Sequence, residues 1–118
     1  MELRKAGQVV LFKFPNTDLN VSKLRPALLL AKLPGDYDDW LICMISSQIH
    51  QCIEGFDEII KPGSPDFIRS GLKTASVIRI ARIAVVANDI LLGSIGEISP
   101  ELLKRIRSKL ADWIKAAE

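Results

Sequence analysis

The side chains best suited to chemistry stand where short apolar runs meet polar loops. Arg25 follows the polar stretch 16–23 and directly precedes Pro26. A residue before proline is pushed into extended backbone, so Arg25 sits where a loop enters an apolar wall. A guanidinium held there can grip a phosphate through two parallel hydrogen bonds. On sequence position alone, a solvated or salt-bridged arginine at a strand start is the commoner case. At Ile45-Ser46-Ser47-Gln48-Ile49-His50 an apolar run ends abruptly in hydroxyl, amide and imidazole groups. Such a strand end can donate to a phosphate oxygen, or it can close a hydrogen-bonded turn. His50 is a residue type suited to general-base work, but it has no visible partner in sequence. A third cluster is Ser76-Val77-Ile78-Arg79. Strand alternation puts Ser76, Ile78 and Ile80 on one face, and Val77, Arg79 and Ala81 on the other. With Lys73 and Arg69 nearby, Arg79 either joins a basic patch or forms a structural ion pair.

The remaining sequence narrows the chemistry by what it lacks. It holds no glycine-rich phosphate loop, no nucleophile elbow, no His-Glu-x-x-His helix and no carboxylate pair at metal spacing. Cys43 and Cys52 stand with His50 as the chain's one histidine, whereas zinc takes about four ligands in recognisable pairs. Two reduced cysteines, no metal and no organic cofactor are therefore expected. The formal charge of +2 is too small for a histone-like or basic-tail protein. Any nucleic-acid footprint must come from local clustering of Lys and Arg.

The elements that position these residues are short. Val9 to Phe14 reads as a strand stopped by Pro15-Asn16-Thr17-Asp18. Arg25 to Ala31 reads as a buried strand, begun at a proline that a strand's first residue tolerates. Trp40 to Ile45, Phe56 to Ile60, Ser76 to Ile80, Ile83 to Val86 and Ser94 to Ile98 are further strands. Lys61-Pro62-Gly63-Ser64-Pro65 is a projecting loop. The chain then changes period. Ser99 is a helix N-cap, Pro100 takes the first-turn place, and Leu102, Leu103, Ile106, Leu110, Trp113 and Ile114 recur at helical spacing. The whole reads as a mainly β (α+β) fold, a small barrel or sandwich with a C-terminal amphipathic helix. A chain of 118 residues, 48% of them apolar, suits one domain over residues 1–118. No run approaches the roughly twenty apolar residues of a membrane span, and the first ten residues lack a secretory pattern. A cytoplasmic protein with no membrane partner is expected.

Five segments resemble one family in its own order. Gly7-Gln8-Val9-Val10-Leu11-Phe12-Lys13-Phe14-Pro15 is similar to the G-(D/E)-I-V-x-V-x-F-P strand that opens MazF/PemK-like toxins. Lys23-Leu24-Arg25-Pro26-Ala27-Leu28-Leu29-Leu30 resembles their K-x-R-P-A-L-V-L, and Ile45-Ser46-Ser47-Gln48 their I-T-S-Q. Ser70-Gly71-Leu72-Lys73 through Ser76-Val77-Ile78-Arg79 resembles S-G-L-K-x-x-S-V-V-R, and Ile95-Gly96-Glu97-Ile98-Ser99 resembles I-G-x-L-S. Each is weak alone, but five in register cover almost the whole chain.

The resemblance implies an SH3-like barrel with a terminal helix, usually a homodimer. It implies a metal-independent endoribonuclease that cuts single-stranded RNA, inhibited by a small cognate antitoxin as in type II toxin–antitoxin pairs. By matched position Arg25 is the catalytic arginine, and Ser46 replaces the family's catalytic threonine. Ser22, Lys23, Ser47, Gln48, Lys73 and Arg79 are the expected RNA contacts. The PemK branch has a catalytic aspartate where this chain has Ala81, which leaves the general base among Asp18, His50 and Glu54. A catalytically impaired barrel that binds RNA or antitoxin without turnover is the alternative expectation.

Overall fold

In the computed structural model, which describes residues 3–15 and 22–118, the short apolar runs form one antiparallel sheet. Its strands are β1 (Gln8–Pro15), β2 (Ser22–Lys32), β3 (Asp39–Ser46), β4 (Glu58–Ile60), β5 (Ser76–Ala87) and β6 (Leu91–Glu97). Their spatial order is β4-β5-β3-β2-β1-β6. A single helical turn, α1 (Phe67–Ser70), follows β4, and α2 (Pro100–Ala116) ends the chain. The mainly β reading with a C-terminal helix is what the structure shows.

Alternation sorts the strands into two apolar faces. Val9, Leu28, Leu30, Cys43, Ile45, Ile78 and Ile80 face one cluster, which Leu102, Ile106 and Leu110 of α2 complete. Val10, Phe12, Ala27, Leu29, Trp40, Ile42 and Leu91 form a second. Helix α2 begins as its sequence requires, with the Ser99 side chain accepting a hydrogen bond from the Leu102 N–H at 3.2 Å. Its apolar stripe thins towards the C-terminus. Trp113 and Ile114 are about half exposed, and Trp113 rests edge-on against Phe56 with ring centroids 6.2 Å apart.

Polar contacts fix the helix to the sheet. Glu58 of β4 accepts from Arg105 at 2.9 Å and from Lys109 at 2.8 Å. Burial opposes ionisation of Glu58, but hydrogen bonds and charge from these two cations outweigh it and hold its carboxyl below the usual range. Arg107 Nε donates to the Leu30 carbonyl at 2.9 Å. That carbonyl lies where β2 skips a residue against β3, and a bulge leaves backbone groups in need of such a partner.

Three sequence expectations change in detail. The runs 76–80 and 83–86 are one strand, β5, interrupted only by a bulge. Pro26 lies inside β2 and not at its start; β2 pairs with β1 there, while its ladder with β3 begins one residue later, at Ala27↔Met44. Phe56 precedes β4, which is only three residues long. The outer strands β4 and β6 are not paired with each other. Instead the end of α1 packs on β6. There Gly71, at φ 75°, leaves no room for a Cβ against the Ile95 carbonyl, and Gly96 leaves none against the Arg69 and Ser70 backbone. Only glycine suits both the close approach and the left-handed backbone at position 71.

Candidate functional site

Beyond Ala27 and Met44 the ladder between β2 and β3 stops, and the two strands part. Arg25 and Pro26 then line one wall of an opening, with Ile45 and Ser46 on the other. One cavity of about 580 Å³ is lined by Arg25, Met44, Ser46, Gln51, Arg79 and Arg82 among others. A second of about 580 Å³ is lined by residues including Leu24, Arg25, Ser46, Ser47, Lys73 and Ile95. Arg25, Pro26, Ile45, Ser46 and Gln48 line both. The two cavities are therefore halves of one groove that pivots on Arg25 and Ser46.

Each side chain is held by its local backbone. Arg25 is an exposed residue of β2, opposite Phe12 of β1. Ser46 ends β3, and its Oγ accepts from the Gln48 N–H at 3.0 Å. This is the turn anticipated from the sequence. The bond occupies a lone pair and leaves the hydroxyl proton free to donate, so the turn and a phosphate contact are compatible. Arg79 is half-buried on β5, opposite Met44, and its Nη1 donates to Gln51 Oε1 at 3.2 Å. Among the described residues its side-chain partner is a neutral amide and not a carboxylate. Its Nε is buried with no hydrogen-bond partner among the described residues, an uncommon state for a buried donor.

The bulge in β5 changes which residues reach the groove. Cys43 pairs with Ile83 while the next residue, Met44, pairs with Arg79. Residues 80–82 are therefore extra on β5. Ile80 turns into the core, whereas Arg82 joins Arg79 in lining the groove. Sequence reasoning missed Arg82 because it split β5 in two and placed the gap there. The dense run Arg79-Ile80-Ala81-Arg82 was the available signal. Gln51 was missed as well, since it lies on the irregular turn Ile49–Gln51.

Of the sequence-selected residues, Arg25, Ser46, Ser47, Gln48, Lys73 and Arg79 come together in the groove. The side chains of Ser22 and Lys23, and the whole of Asp18, lie outside the described residues. His50 and Glu54 are exposed and line neither half. Arg69 is 3.9 Å from Asp66 and faces other cavities. Ala81 lines neither half of the groove either.

The described lining carries three guanidiniums and one ammonium, and no Asp, Glu or His. Such a cleft concentrates positive potential despite the chain's small net charge, and so attracts polyanions. Apolar Leu24, Pro26, Met44 and Ile83 share the lining with the cations, giving surfaces on which a nucleobase can rest. Among the described residues no group of three or more His, Cys, Asp or Glu is placed to hold a metal ion. Cys43, buried in the core, has its thiol pushed up to about 12 by burial, with the nearby Asp57 charge adding to the effect.

Together, a six-stranded antiparallel sheet with a C-terminal helix and a basic groove at the β2–β3 opening define a small, mainly β protein of MazF-like fold. The chain belongs to the PemK-like, MazF-like toxins of type II toxin-antitoxin systems, whose family model matches residues 5–114. Three solved structures share the fold. One is an endoribonuclease in complex with its cognate antitoxin from a mycobacterial species, at TM-score 0.66 and 15% identity, covering 98% of this chain and 99% of that one. Another is the Mycobacterium tuberculosis toxin MazF-mt6, at TM-score 0.64 and 13% identity over 92% and 96% of the two chains. The third is MazE-MazF from Deinococcus radiodurans, at TM-score 0.69 and 18% identity over 99% and 100%. At such identities they speak for the fold alone. No match was found among the curated proteins. The family expected from five sequence segments is the family found. Among the described residues no helix is long and apolar enough to cross a membrane.

Proposed function

We propose that this protein is an endoribonuclease that cuts single-stranded RNA without a metal ion, as the toxin of a type II pair. The observation that carries this reading is the groove itself, where Arg25 and the Ser46 hydroxyl stand together, with Arg79 and Arg82 beside them and no carboxylate among the described lining. RNA supplies its own nucleophile. The 2′-hydroxyl attacks the adjacent phosphorus, the bond to the 5′-oxygen breaks, and a 2′,3′-cyclic phosphate and a 5′-hydroxyl result.

The protein must hold the phosphate and stabilise the charge that develops on it. The Arg25 guanidinium can hydrogen-bond the phosphoryl oxygens or donate a proton to the leaving oxygen. Ser46 donates its free hydroxyl proton to a phosphoryl oxygen. Arg79 brings a further guanidinium to the same groove. Ser47, Gln48, Lys73 and Arg82 hold the strand on either side, and the family resemblance assigns Ser22 and Lys23 to the same task. The proton of the 2′-hydroxyl passes to water or to a group outside the described lining.

A second reading has its own observation. Ala81 stands where the PemK branch keeps an aspartate, and no described carboxylate replaces it in the groove. On that reading the protein binds RNA or a cognate antitoxin segment without turnover. Incubating the purified protein with mixed-sequence single-stranded RNA in EDTA separates the two. Cleavage to cyclic-phosphate ends that Arg25→Ala slows by about a hundredfold or more supports the enzyme. Salt-sensitive binding with intact RNA supports the binder.

A further inference from the structure

Asp57 is a buried carboxylate, 8% exposed, that the proposed chemistry does not use. Among the described contacts its oxygens face two backbone donors. Oδ2 accepts from the Ile53 N–H at 2.9 Å, and Oδ1 from the Ile80 N–H at 3.0 Å. Burying an ionised carboxylate is costly unless hydrogen bonds replace its water, so this group has a task that an apolar residue would not perform.

The two donors belong to the two segments that meet at the groove. Ile80 opens the β5 bulge and directly follows Arg79. Ladder pairing of β4 with β5 stops at Glu58↔Ile78, and the Asp57 side chain then serves the N–H that the bulge would leave unpaired. Ile53 lies two residues beyond Gln51, whose side chain holds the Arg79 guanidinium. One carboxylate thus ties the backbone behind Arg79 to the backbone behind its amide partner.

We infer that Asp57 is a positioning residue that sets the β5 bulge, and through it aims Arg79 into the groove against Gln51. Its functional readout rests on the RNA reading above, whereas its structural readout does not. Asparagine keeps the size of Asp57 but offers one carbonyl oxygen, so Asp57→Asn loses one of the two backbone bonds.

The test compares wild type, Asp57→Asn, Arg79→Ala and the double variant in binding a 2′-O-methyl single-stranded RNA across a salt series. Each single change should weaken binding by about tenfold, the size of one charge-assisted contact. Each should also lower the salt slope by about 0.7, the share of one phosphate on a single strand. The double variant should bind no more weakly than Arg79→Ala. Wild-type affinity in Asp57→Asn, or multiplied losses in the double variant, would overturn the inference. If wild type binds no RNA, the RNA reading fails and the Arg79 Nε–H NMR signal decides. That signal should move in Asp57→Asn while the Arg25 signal stays, and an unmoved Arg79 signal would overturn the inference. Should Asp57→Asn not fold, Asp57→Ser, which keeps one short acceptor, is read in the same two assays.

Discussion

At the residue scale, the groove divides its arginines by role. Arg25 lines both halves and adjoins Ser46, while Arg79 and Arg82 line one half only. Arg82→Ala should therefore weaken RNA binding and reduce its salt slope by about 0.7, and leave the rate of cleavage at saturating RNA within a few-fold of wild type. A drop in that rate as large as for Arg25→Ala would place Arg82 in the chemistry instead. The two arginines also differ in how far sequence revealed them. Arg25 and Ser46 sit at strand boundaries, where a polar side chain beside an apolar run is visible in one dimension. Arg82 depends on three extra residues in β5, and the pairing partner that exposes the bulge is the distant β3. Its place in the groove could not be read locally.

At the scale of elements, α2 was legible because cap, first-turn proline and apolar period agree over seventeen residues. The short α1 was not, since four residues cannot show a helical period. Joining of the two β5 runs was hidden for a related reason, because a bulge breaks the two-residue alternation that marks a strand. The contact of α2 with the sheet gives a pH prediction. Glu58 is held below its ordinary carboxyl range by Arg105 and Lys109. A group with a depressed folded value stabilises the fold above its unfolded value, and that contribution fades as pH falls through the folded one. Thermal stability should thus decline on acidification below about pH 4.5, the unperturbed value. Glu58→Gln should cost about 1 kcal/mol at neutral pH, since Arg105 is half exposed and screened. Its acid slope should also be shallower, and equal slopes for the two proteins would show that the carboxylate is not the group responsible.

At the scale of the molecule, the sheet leaves Ile83, Val85, Ile90 and Leu92 between 39% and 55% exposed around the β5–β6 junction. Apolar side chains gathered at one junction suit a partner surface, and the family resemblance implies a homodimer. Sedimentation equilibrium should give the mass of two chains for wild type, with Val85→Lys shifting it to one. A monomer at every concentration would remove that expectation. The proposed RNA cleavage depends on Arg25 and its groove. Its most direct measurement is cleavage of mixed-sequence single-stranded RNA by the purified protein in EDTA, with product ends identified, beside Arg25→Ala. Fragments ending in 2′,3′-cyclic phosphate should appear, formed at least about a hundredfold more slowly by the variant. Intact RNA with the wild-type protein, or equal cleavage by both, would contradict that proposal.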